Sequence, residues 1–169
     1  MIPLAIAHDA SLSLFGLVPE RSTLIFHDDY PAFCAQHNLK SGSDGVYLPP
    51  RFEAHIDLAK RPALGVLHEF FGHGLYCEYA KQAQELVANR PTPHLESVAE
   101  SVAVWIERKL ATATGFTDEF KEKYGEYQSP AQEMENTYGH TITMFSHGFP
   151  KYYNTAILDD ILTRILGTP

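Results

Sequence analysis

Leu67-His68-Glu69-Phe70-Phe71-Gly72-His73-Gly74 lies in an apolar run, Ala63 to Ala80, whose only acids are Glu69 and Glu78. Two imidazoles and a carboxylate are costly in such a segment unless something pairs with them. A divalent metal accounts for all three. His68 and His73 would supply neutral nitrogen ligands, and Glu69 would hold a metal-bound water as general base. The spacing is unusual, because the common zinc-peptidase signature places its histidines at i and i+4. Here the second histidine is at i+5. In a straight α-helix five residues turn about 500°, which leaves the rings roughly 140° apart. Both reach one ion only if the helix takes up an extra residue, as in a single-turn π-bulge, and such bulges cluster at functional sites. Gly72 lies where the backbone would have to relax. The competing reading is a core helix with two incidental histidines.

The rest of the chain frames this segment. Its 169 residues favour one domain over 1–169. With 44% hydrophobic and 12% aromatic residues, it has the composition of a globular protein. A net charge of −8 and the lack of a basic stripe argue against nucleic acid as a partner. No apolar run is clean enough to span a bilayer, and Met1 to Asp9 lacks the basic start and long apolar core of a signal peptide. The expectation is a soluble, cytoplasmic protein with no membrane partner. Cys34 and Cys77 are too few for a disulfide framework and form no CxxC pattern. Cys77, four residues after His73, could approach a metal, but it reads better as a small core residue.

Before about residue 60, Pro and Gly break the chain into short strands and loops. Strands are expected at Ser22–His27, Gly45–Leu48 and Arg51–Ile56, with a short helix at Tyr30–His37. Pro49-Pro50 keeps the last two strands at a sheet edge or beside a bend. After residue 60 the pattern turns helical. One helix starts at Pro62 and runs through the motif to about Ala88. A second spans about His94 to Thr112, with Leu95, Val98, Ala99, Val102, Trp105 and Ile106 on one face. Gly115 closes it, and Thr117 is positioned to cap a short helix over Asp118–Tyr124. Further helices are expected from Ser129 to Ser146 and from Lys151 to Leu166. The fold class is therefore α+β, a small N-terminal sheet followed by a mainly helical half.

A catalytic zinc keeps one position open and takes three protein ligands. The second helix offers Glu96 and Glu100, four apart on one face, with Glu107 further along. One glutamate could bind the metal while the other accepts a hydrogen bond from a ligand histidine. A solvated acidic face is the alternative.

His68-Glu69-Phe70-Phe71-Gly72-His73-Gly74 resembles the His-Glu-Leu-Leu-Gly-His-Gly motif of the dipeptidyl peptidase III family, zinc peptidases with the same i, i+5 spacing. Leu95-Glu96-Ser97-Val98-Ala99-Glu100-Ser101-Val102 is similar to that family's second motif, Glu-Glu-Cys-Arg-Ala-Glu followed by Ser-Val. The first glutamate of that motif is Leu95 here and its arginine is Val98. The resemblance implies a gluzincin (zincin-like) arrangement, with Zn2+ as cofactor. It also implies Glu96 as metal ligand and Glu100 as the acid behind a ligand histidine. It covers about 35 residues, His68 to Val102, in a far smaller chain, so dipeptidyl specificity does not transfer.

Peptide hydrolysis also needs a donor for the developing oxyanion. Candidates are Tyr138, His140, His147, Tyr152 and Tyr153, with His147 first. Phe145 to Tyr153 loosely resembles the His…Tyr-Tyr segment of the thimet oligopeptidase-type gluzincins. An extended substrate could lie against a sheet edge, for which Gly45–Leu48 and Phe52–Ile56 are candidates. His55 and His94 read as stray surface histidines. The functional expectation is a zinc metallopeptidase acting on a peptide or small peptide-like substrate. The alternatives are a zinc-binding module without turnover, or a metal-dependent amidohydrolase.

Overall fold

The computed structural model describes residues 4–79 and 92–124, with the side chains of 92–98 and Ser101 outside that description. Within it the class is α+β: a three-stranded mixed sheet with helices on both faces. Strand β1 (Thr23–His27) runs parallel to the central strand β3 (Glu53–Asp57), and β2 (Gly45–Leu48) pairs antiparallel on the other side. The register sets Ile25 opposite His55 and Gly45 opposite Ile56. Strand alternation then divides β3. Ala54 and Ile56 enter the apolar core under the helices, whereas His55 turns to the other face, against Phe33 of α2 (Tyr30–Gln36). The expected edge position holds for Gly45–Leu48. It fails for Phe52–Ile56, because β1 pairs along the other side of β3 and makes it central.

The first sixty residues are not all strand and loop. Leu4–Phe15 forms helix α1, which buries Ala7, Ser11 and Phe15. Its Leu and Ala residues are good helix formers. It packs on the long helix α4 (Thr92–Thr114), where Phe15 meets Trp105 with ring centroids 5.5 Å apart. Gly115, at φ +84°, ends α4 in the left-handed conformation, and Phe116 N–H donates back to Ala111 O at 2.8 Å. Helix α5 follows at Thr117–Tyr124.

The motif helix, α3, is composite. An α-helical turn at Pro62–Gly65 leads into a π-helical segment at Val66–His73 and then into α-helix at Gly74–Tyr79. The expected extra residue is present, but over eight residues rather than a single bulged turn. Gly74 N–H donates to Glu69 O, five residues back. That hydrogen-bonding step puts residues i and i+5 nearly one turn apart. Gly72 serves differently from the expectation. Its φ is not positive, but a Cβ there would stand 2.9 Å from the Cα and O of Ala103. The missing side chain lets α3 and α4 approach backbone to backbone. The helices expected over 129–146 and 151–166, and α3 beyond Tyr79, lie outside the described residues. Among the described residues no helix is long and apolar enough to cross a membrane.

Candidate metal centre

The π-helical segment turns His68, Glu69 and His73 toward one point, and one ligand atom from each lies within 4.8 Å of the others. The His68 and His73 rings meet edge to face, 4.9 Å between centroids and 84° between planes. Opposite them stands Glu100 of α4. Its Oε1 is 3.2 Å from His68 Nε2, and its Oε2 is 3.3 Å from His73 Nε2.

His68 Nδ1 lies 2.8 Å from Oε2 of Glu107. A carboxylate only accepts, so Nδ1 carries the proton and Nε2 is the nitrogen left to face Glu100. A bare Nε2 lone pair against a carboxylate oxygen is repulsive, so a positive charge belongs between them, a proton or a metal ion. With protons alone, burial lowers the His68 pKa, but Glu100 and Glu107 more than reverse this and push it up to about 10. Burial would likewise raise Glu100, yet its hydrogen bonds with the two imidazoles hold it below the usual carboxylate range. Metal ions suit the same geometry. Zinc ligands at bond lengths of about 2.0–2.1 Å in a tetrahedron lie roughly 3.3 Å from one another. The 3.2 and 3.3 Å separations, which end on the two different oxygens of Glu100, fall near that spacing and are also ordinary N–H···O lengths, so the donor set of two imidazoles and a carboxylate fits a zinc ion as well as it fits protons.

Glu69 is buried, with Oε2 3.9 Å from His73 Nε2. Burial raises its pKa, against the opposing pull of His68 and His73. Room for it comes from β2: a Cβ on Gly45 would stand 2.9 Å from Glu69 Cγ and 2.7 Å from His55 O. Glu107 is fully buried, and three side-chain donors reach its carboxylate. Besides His68, Tyr124 donates its hydroxyl to Oε2 at 2.7 Å and Lys123 Nζ donates to Oε1 at 3.1 Å. Lys123 also stands 3.4 Å from Asp44 Oδ2, joining the loop before β2 to the site. Burial and the adjoining Glu107 charge keep the Tyr124 phenol protonated, with its pKa raised. A cleft of about 1080 Å³ covers the centre, and Gly45, Val46 and Tyr47 of β2 line one wall.

The structure thus gathers four residues singled out in the sequence: His68, Glu69, His73 and Glu100. It also brings a second α4 glutamate, Glu107, to His68. The nitrogen that Glu100 was expected to orient, the far nitrogen of a ligand histidine, is held by Glu107, while Glu100 faces the two Nε2 atoms. The reason is helical phase. Residues 100 and 107 are two turns apart on one face, and the close contact at Gly72 sets Ala103, between them, against α3. Glu96 lies on α4 one turn before Glu100, and its side chain is outside the described residues, as is that of His94. Tyr138, His140, His147, Tyr152 and Tyr153 are outside them too. Cys77 is a buried core residue. His55 is no surface histidine: it is 5% exposed and bonded to His27. Sequence reasoning missed the part played by Glu107, although the seven-residue interval from Glu100 was a usable signal. Gly45 and Lys123 gave no comparable signal. Comparison of the chain with protein-family models, with curated proteins and with solved structures finds no match in any of the three.

Proposed function

We propose that this protein is a zinc-dependent hydrolase of peptide bonds, with His68, His73 and Glu100 as the metal ligands and Glu69 as the general base. One observation carries the reading: His68, Glu69 and His73 bring one ligand atom each within 4.8 Å of one another, and both Nε2 atoms face the Glu100 carboxylate. This moves the ligand role from Glu96 to Glu100 and gives Glu107 the task of fixing the His68 tautomer. The resemblance of the two motifs to those of zinc peptidases supports the same chemistry.

When bound, zinc would polarise the scissile carbonyl and make a water molecule more acidic. Glu69 takes a proton from the attacking water as its oxygen bonds to the carbonyl carbon. It then delivers that proton to the departing amine nitrogen as the C–N bond breaks. Glu107 keeps Nδ1 of His68 protonated and Nε2 available. The edge strand β2, along one wall of the cleft, supports an extended substrate backbone by strand addition.

Glu69→Gln is the direct test. The amide keeps the volume and loses the base, so bound zinc stays at wild-type stoichiometry while cleavage of a peptide library drops by about 10²–10⁴. Unchanged cleavage would refute the mechanism. A wild-type protein that binds zinc stoichiometrically and cleaves no peptide would instead support a binding module.

A further inference from the structure

The two histidines are fixed by different means. His68 has a buried carboxylate on its Nδ1. For His73 no hydrogen bond to Nδ1 is found among the described residues. Its ring instead stacks on Tyr47 of β2, 6.2 Å between centroids and 24° between planes. That offset lies within the range of attractive aromatic pairs.

Tyr47 is itself held. It is 7% exposed, and its hydroxyl is 2.9 Å from Ser22 Oγ. Ser22 Oγ is 2.5 Å from Glu78 Oε1, a short bond in which the serine must donate because the carboxylate only accepts. The phenol is therefore the donor to Ser22, and its proton is committed away from the cleft. Burial, the largest influence on it, raises its pKa and keeps it neutral. Glu78 also accepts the backbone N–H groups of Glu20, Arg21 and Ser22, at 2.8, 3.0 and 2.9 Å. Glu78 stands five residues after His73 on α3. The path from Glu78 through Ser22 and Tyr47 therefore returns to the helix it left, five residues earlier.

We propose that Tyr47 is a positioning residue for His73: its ring face, tethered through Ser22 to Glu78, sets the plane of the second imidazole as Glu107 sets that of the first. The proposal rests on the zinc reading above. The ring acts by packing, and the hydroxyl acts only by holding the ring.

The test uses the full chain, with zinc affinity measured by competition against a chromophoric chelator and with the visible spectrum of the cobalt-substituted protein. Tyr47→Leu removes the flat face and weakens zinc by about 10–100-fold, the usual cost of losing an orienting partner. The cobalt bands shift, because His73 approaches at a different angle. Tyr47→Phe keeps the ring and loses its tether, so it weakens zinc less than Tyr47→Leu does and leaves the cobalt bands closer to those of the wild type. Wild-type affinity and spectrum in Tyr47→Leu overturn the proposal. So does a loss in folded Tyr47→Phe as large as that in Tyr47→Leu. If Tyr47→Leu does not fold, Tyr47→Val, better suited to a strand, takes its place, and the Tyr47→Phe result still decides. His73→Ala separates the two levels. If it keeps its zinc, the metal reading itself fails. If it loses zinc while Tyr47→Leu does not, only the role of Tyr47 is lost.

Discussion

The protein holds two pairs of adjoining histidines, and their nitrogens point to different ends. Behind the sheet, His27 Nε2 donates to His55 Nδ1 at 2.8 Å and His55 Nε2 donates to Glu53 Oε2 at 3.2 Å. Phe33 covers both rings, with centroids 4.3 Å from each. In front, His68 and His73 are equally close, yet each turns its Nε2 to Glu100 rather than to its neighbour. The back pair satisfies itself. The front pair leaves two nitrogens and a carboxylate facing one another, with a proton or a metal ion to hold them together. Burial lowers the pKa of His55, whereas flanking carboxylates overcome burial at His68 and raise it. Proximity alone therefore does not separate the two pairs, and the direction of their nitrogens does.

Removing one ring from each pair breaks the comparison most sharply. His73→Ala loses most bound zinc. His27→Ala keeps the zinc at full stoichiometry but leaves the buried His55 Nδ1 without its donor, at a cost of about 1–3 kcal/mol in stability. Metal analysis and denaturant unfolding of both variants check this. Equal zinc loss in the two would erase the distinction.

Next comes Glu107→Gln. The amide nearly preserves the shape around His68 but removes the charge that fixes its tautomer. Zinc affinity drops about 10–100-fold by chelator competition. An unchanged affinity would show that His68 needs no charged partner.

The smallest effect is on pH dependence. His55 has a lowered folded pKa, so the unfolded chain binds more protons in mild acid. Its contribution to stability is complete above the ordinary value of 6.5 and is lost as pH falls below that toward the depressed folded value. His68, whose pKa is raised, acts in the opposite sense over the same range, so the test is a difference: between pH 7.5 and 5 the unfolding free energy of the wild type falls relative to that of His55→Phe, which keeps a ring over Phe33. An identical slope would remove His55 as the source.

The sequence carried much of this, because the motif and the strands are written in local patterns. His68, Glu69 and His73 share one helix, and their spacing alone demanded an extra residue. Strand β2 matched its β-branched and aromatic run between Gly45 and Pro49 residue for residue. What escaped depends on how separate elements are phased. Choosing between Glu96 and Glu100 requires knowing which turn of α4 faces α3, and that is set by the backbone contact between Gly72 and Ala103. The role of Gly45 exists only once β2 lies across Glu69. Helix α1 escaped for another reason: its apolar residues make no clear stripe, and Leu4, Ile6 and Leu12 remain exposed.

The eight-residue π segment lies between two α-helical stretches of α3. Deleting Phe70 would restore the common i, i+4 interval between the histidines. In a regular α-helix such a deletion would turn everything after it by about 100°. Here the wider turns between the α-helical flanks already absorb one residue, so a segment one residue shorter and closed to i→i+4 bonding keeps Leu75, Tyr76 and Cys77 toward the core and Glu78 at the backbone it clamps. The additional residue is thus a local insertion, and its effect is confined to where His68, Glu69 and His73 point.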